Sequence, residues 1–144
     1  MVHLLVLWNT MPLLLEHFEM DFFLVAMPYT LLSQEPLENI ILECQKKGMG
    51  VIIGAPYASG ILATGASSEA RYGYAPVEKS VLNRVKAIEK VCSEHKIPLK
   101  AAALQFPLGH PLVASIIPGA MHPDQVRDNL AMMKHSIPDT FWWD

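Results

Sequence analysis

Apolar positions along the chain fall into two alternating textures. Four short runs, at residues 4–7, 22–25, 51–53 and 113–117, are almost continuously apolar. Strands covered on both faces read this way, because neither face alternates with solvent. Between the runs lie longer stretches in which apolar residues recur every three or four positions. Alternation of these two textures predicts βα units arranged around a parallel sheet.

The helical stretches carry their own punctuation. A short helix is expected over 12–20, and one over 36–47 places Leu37, Ile40, Ile41 and Cys44 on a single stripe. Lys46 and Lys47 stand at its negative end, and Gly48 and Gly50 supply the stop. The clearest helix is expected to start at Pro76, whose fixed φ suits a first turn. It turns Val77, Val81, Val85, Ile88, Val91 and Cys92 inward and Glu78, Lys79, Arg84, Lys90 and Glu94 outward, until Ile97-Pro98 ends it. A helix over 99–106 follows, closed by Pro107 and Gly109. After a turn at Pro118-Gly119-Ala120, Pro123 opens a helix to about Lys134 with Val126, Leu130 and Met133 on its inner face. Ser136-Ile137-Pro138-Asp139 begins a further helix that is expected to be cut short, leaving Phe141, Trp142 and Trp143 uncovered. Residues 54–75, rich in Gly, Ala and Ser, form the one long irregular stretch, and loops of that length are usually functional or mobile.

Four βα units in an open sheet leave edges at 4–7 and 113–117 and no far wall for the inward apolar residues. The expected architecture is therefore α/β, half of a β/α barrel, in a single domain spanning 1–144. A hydrophobic content of 51%, a charged content of 17% and a net charge of -3 exclude a disordered chain and a strongly basic surface. Nucleic acid is thus not an expected partner. Cys44 and Cys92 have no metal-ligand or redox spacing and read as buried, reduced thiols. The apolar start at 2–15 has no leading Lys or Arg and is broken by Asn9 and Pro12, so it does not read as a leader. No apolar run reaches the roughly 18 residues of a membrane span, and a cytoplasmic location is the expectation. The six histidines form no metal-ligand pair, so no metal is expected; His110 and His122 are candidates for a ligand mouth or for ordinary surface roles.

In parallel βα architecture, function collects on the loops at the carboxyl ends of the strands. After the first run, Asn9 could pair with a planar amide, or equally cap the next helix. After the third, small residues at 54–62 let backbone N–H groups approach a phosphate, unless the segment is an ordinary flexible connection. After the fourth, a helix start offers free N–H groups with Gln125, Asp128 and Asn129, which on spacing alone read as a solvated face.

In combination these segments carry a resemblance. Tyr29-Thr30-Leu31-Leu32, Ser59-Gly60-Ile61-Leu62, Ala101-Ala102-Ala103-Leu104-Gln105-Phe106 and Ile116-Ile117-Pro118-Gly119-Ala120, with Asn129 downstream, resemble the aldo-keto reductases in identity and order. The likeness runs roughly from Trp8 to Trp143 and is nearest to the aldose 1-dehydrogenase and sugar-dehydrogenase branch. It implies that the four strands are the fifth to eighth of an eight-stranded barrel. It places Asn9 at the nicotinamide amide, Ser59, Gly60 and Leu62 in a pyrophosphate loop, and Gly119, Ala120, Gln125, Asp128 and Asn129 around adenosine. Gly54 stands where many members stack an aromatic ring, and Ala26 where many have Gln. Gly119, Met121 and Gln125 supply no cation for a 2′-phosphate, so NAD is at least as well matched as NADP. The family's proton-donating Tyr and its Lys, Asp and His partners belong to the first four strands, so no catalytic residue is expected here. Tyr57 is a poor substitute, since Lys47 and Lys79, its nearest lysines in sequence, belong to outer helices. The resemblance implies an NAD(P)-dependent oxidoreductase of sugars or small carbonyls, with this chain as the cofactor-holding half. The alternatives of another class are a non-catalytic interaction or regulatory module, whose open edges meet a complementing half or a second copy, and a truncated product without activity.

Overall fold

The computed structural model describes residues 11–26, 29–34, 38–67, 70–73 and 75–143. In chain order the first half contains α1 (Met11–His17), β1 (Phe22–Ala26), α2 (Glu38–Lys46), β2 (Gly50–Gly54) and α3 (Ile61–Thr64). The second contains β3 (Arg71–Tyr72), β4 (Ala75–Pro76), α4 (Lys79–Glu94), α5 (Leu99–Gln105), β5 (Val113–Ile117) and α6 (Pro123–Met133). Three of the continuous apolar runs become one parallel sheet in the order β1-β2-β5, with the helices outside it. The run at 4–7 lies outside the described residues.

Register brings the strand ends level. Ala26 lies opposite Gly54 and Gly54 opposite Ile117, so the loops that follow all three strands leave from one rim. Between β2 and β5 the pairing slips by one residue: Val51 faces Val113 but Ile52 faces Ser115, and Ala114 is left over. An extra residue of this kind locally bends and twists a strand.

The core divides into three clusters. Val25, Val51, Ile53 and Val113 from the sheet pack on Ile40, Ile41 and Cys44 of α2 and on Met11 and Leu15 of α1. The inward stripe of α4 is as its spacing demands, with Val85 and Cys92 buried and Val81, Ile88 and Val91 half-buried. Val85 joins Leu32, Ile61, Leu62, Ala103 and Leu104 in the second cluster. α5 buries four consecutive residues, Ala101 to Leu104, because small side chains let it run close to α3, α4 and α6. Gln105 fastens it further, its Nε2 donating to Met132 O and to His135 O at 2.8 Å each.

Several expectations need correction. α4 starts at Lys79, not at Pro76, because Pro76 pairs with Arg71 in the β3–β4 hairpin and the chain stays extended through Glu78. A fixed φ near −65° suits extended backbone as well as a first helical turn, and the non-local pairing decides. The described residues of 54–75 are accordingly less irregular than expected, since they hold a 3-10 turn at Ala58–Gly60, α3 and most of that hairpin. In α6 the inward side is Asn129 with half-buried Met132 and Met133; Val126 and Leu130, expected inside, are 58% and 56% exposed. That helix packs on α5, and its Val126–Leu130 flank is left more than half exposed. The end of the chain forms a 3-10 turn, Asp139–Trp143, instead of a helix. Phe141 is covered after all, buried against Cys92, Ile97 and Ala102, with its ring edge-on to His95 at 5.5 Å.

Both cysteines are free and buried, and burial pushes each thiol pKa up. Among the described residues, no helix is long and apolar enough to cross a membrane, and no group of three His, Cys, Asp or Glu could hold a metal ion.

Candidate functional site at the carboxyl rim of the sheet

The loop leaving β2 has unusual backbone. Ala55, Ala58 and Ser59 adopt φ of 53°, 48° and 60°, and Gly60 follows at 97°. Left-handed backbone costs an L-residue about 1–2 kcal/mol, so a cluster of three persists only where its surroundings over-determine it. Here they do. Ala55 N–H donates to Ile117 O at 3.3 Å and Ala58 N–H to Ala55 O at 3.0 Å, while Tyr57 O accepts from Gly60 at 2.9 Å and from Leu62 at 3.1 Å. Ser59 Oγ accepts from Gly73 N–H at 3.1 Å, which holds the β3–β4 hairpin against the loop. Strain of this kind collects at ligand clamps and active sites.

The residues singled out from sequence divide by position. Ser59 and Gly60 are half-exposed on the rim, and a Cβ at Gly60 or at Gly119 would meet nothing within 4 Å, so both border open space. Leu62 lies beneath them, 0% exposed, with its amide spent on Tyr57 O. Gly119 and Ala120 are exposed in the turn after β5. Gln125 Oε1 accepts from Met121 N–H at 2.6 Å and so shapes that turn. Asp128 is half-exposed, whereas Asn129 is 7% exposed. Asn9 falls outside the described residues. His122 stands at the start of α6 on this rim; His110 is at the other end of β5, beside Tyr29 with ring centroids 6.0 Å apart.

Two residues that sequence reasoning did not place bind these pieces together. Tyr57 Oη donates to Asn129 Oδ1 at 2.7 Å, and Asn129 Nδ2 donates to Gly119 O at 3.5 Å. Lys100 of α5 pairs with Asp128 and sets its ammonium 5.7 Å from the centre of the Tyr57 ring. Nothing local in the sequence marks a contact between residues 57 and 129, and the lysine near Tyr57 in space is none of its neighbours in sequence. Burial, and then the charge of Asp128, push the Tyr57 pKa from 10.0 up to about 12. A phenol so tuned stays neutral as a fixed hydrogen-bond donor and is poorly suited to giving up a proton at neutral pH.

That shift sets an alkaline limit. The folded pKa lies above the unfolded value, so the contribution of the neutral phenol is complete below pH 10 and is lost as pH rises toward about 12. Unfolding free energy measured across this window should fall, and Tyr57→Phe should flatten the decline. An equally steep decline in the variant would assign it to other groups.

The pattern that defines the aldo/keto reductase family matches residues 7–143. The chain belongs to that family. This aldo-keto reductase chain is 37% identical over 135 residues to pyridoxal 4-dehydrogenase of Microbacterium luteolum, covering 94% of its own length and 40% of that protein. It is 32% identical over 125 residues to D-threo-aldose 1-dehydrogenase of Pseudomonas sp, covering 86% of itself and 38% of the relative. An aldo-keto reductase of Bacillus halodurans in its apo form superposes with a TM-score of 0.70 at 24% identity, over 92% of this chain and 44% of the other. Its holo form gives a TM-score of 0.63 at 26% identity, over 92% and 43%. The aldo-keto reductase chain thus spans about two fifths of the relatives it matches, and its α/β fold is part of their β/α barrel.

Proposed function

We propose that this chain is the dinucleotide-holding half of an aldo-keto reductase-type oxidoreductase acting on a sugar or another small carbonyl compound. The observation that carries the reading is the joining, at one rim, of the strained loop after β2 to the turn and helix after β5 through Tyr57 and Asn129. Ser59 and the backbone around Gly60 would hold a pyrophosphate. Gly119, Ala120, Gln125, Asp128 and Asn129 would surround the adenosine, and Asn9 would meet the nicotinamide amide. The donor set fits such a guest, since open space adjoins Gly60 and Gly119 and α6 presents its amino end to the same rim. Gly119, Met121 and Gln125 offer no cation to a 2′-phosphate, so NAD fits at least as well as NADP.

The nicotinamide, when bound, supplies or accepts the hydride. This chain contributes grip and orientation, with the proton donor expected on the other half of a barrel. The names of the two dehydrogenase relatives support the substrate class. Buried, free thiols suit a reducing, cytoplasmic setting. A second reading is supported by one observation: Ile117 on β5 and Val126 and Leu130, one turn apart on α6, are large apolar side chains left exposed in the same βα unit. They fit a surface that meets a complementing half or a second copy.

Titration with NAD should give a saturable heat and raise the melting temperature, because a ligand held only by the folded state stabilises it. At a hundred times its dissociation constant the gain is about 2.7 kcal/mol. Absence of both signals at millimolar NAD and NADP would sink the dinucleotide reading.

A further inference from the structure

We infer that Tyr57 is a positioning residue that couples the phosphate-side and adenosine-side grips into one unit; this rests on the dinucleotide reading. A primary amide has two nearly isosteric orientations, and the groups around it select one. For Asn129 the selection is made from both sides: the Tyr57 hydroxyl donates to its oxygen and the Gly119 carbonyl accepts from its nitrogen. One side chain of α6 therefore touches the loop after β2 and the turn after β5 together. The same Tyr57 holds its own loop, since its carbonyl accepts from Gly60 and Leu62 N–H. Lys100 fixes the ring from α5 and anchors Asp128, the residue next to Asn129. The hydroxyl is thus the tie from this strained segment to α6, beside the bonds that Ala55 makes to Ile117 on β5 and Ser59 to Gly73 in the hairpin.

Tyr57→Phe removes that tie and keeps the ring. Calorimetry on the whole chain should show NAD binding weakened about tenfold, the effect of one buried hydrogen bond with its stranded acceptor. Adenosine, which has no phosphate and engages only the adenosine side, should weaken less than about twofold on the same reasoning. Without any ligand, the Gly60 and Leu62 amides should exchange with solvent faster in the variant, while those of Val51 and Ile53 keep their rates. Equal losses for adenosine and NAD, or unchanged exchange at Gly60, would overturn the coupling and leave Tyr57 a simple packing residue. Failure of the dinucleotide reading shows separately, as no NAD heat from the unaltered chain.

Discussion

Leu62→Ala should lower the unfolding free energy by about 3 kcal/mol, the usual result of emptying a fully buried leucine site. The residue is 0% exposed among Tyr57, Ile61, Val85 and Leu104, and α3 is too short to close over a hole. Dinucleotide affinity of the folded protein should change little. Family likeness places Leu62 in the pyrophosphate loop, yet its side chain points into the core and its amide already donates to Tyr57 O. Urea unfolding and calorimetry on the same sample separate the two roles. A preserved midpoint with lost binding would put the side chain at the ligand.

The second large effect concerns association. Ile117, Val126 and Leu130 are 52%, 58% and 56% exposed, and β5 ends the sheet among the described residues. Edges and apolar flanks of this kind pair with other chains unless charge or a covering element prevents it. The purified chain should therefore sediment as a dimer or larger at tens of micromolar, on the order of many soluble complexes. Replacing Val126 and Leu130 together by Glu should weaken association about a hundredfold, since two aliphatic side chains lose roughly 3 kcal/mol of burial and two charges would have to be desolvated. A monodisperse monomer at that concentration, or a distribution indifferent to the double change, would dismiss the surface.

What could be read from the sequence was what is repeated locally. β1, β2 and β5 were legible as near-continuous apolar runs, although only β2 is covered on both faces and Phe22, Leu24 and Ile117 of the outer two are exposed, and α4 was legible because its apolar stripe keeps helical period over four turns. The motif around Ser59 and Gly60 located the rim through family likeness. Pro76 misled because a proline satisfies a helix start and an extended hairpin equally well, and only the pairing with Arg71 distinguishes them. Periodicity in α6 correctly reported an apolar stripe at Val126 and Leu130, but a stripe states that a neighbour is wanted, not that this chain provides one. The Tyr57–Asn129 bond was illegible in principle, as it joins positions 72 residues apart that no local rule connects.

The slip beside Ala114 has a bearing on how such a rim tolerates length changes. Side chains on a strand alternate by twos, and directly paired residues share a face, so Ser115, Ile116 and Ile117 take the faces of Ile52, Ile53 and Gly54 while the bulge absorbs the surplus residue. Removing Ala114 would therefore make the pairing regular and leave the corner at 118–120 on its present side. In this fold the neighbouring strand, and not the count of residues along the last one, sets where the gripping turn is delivered.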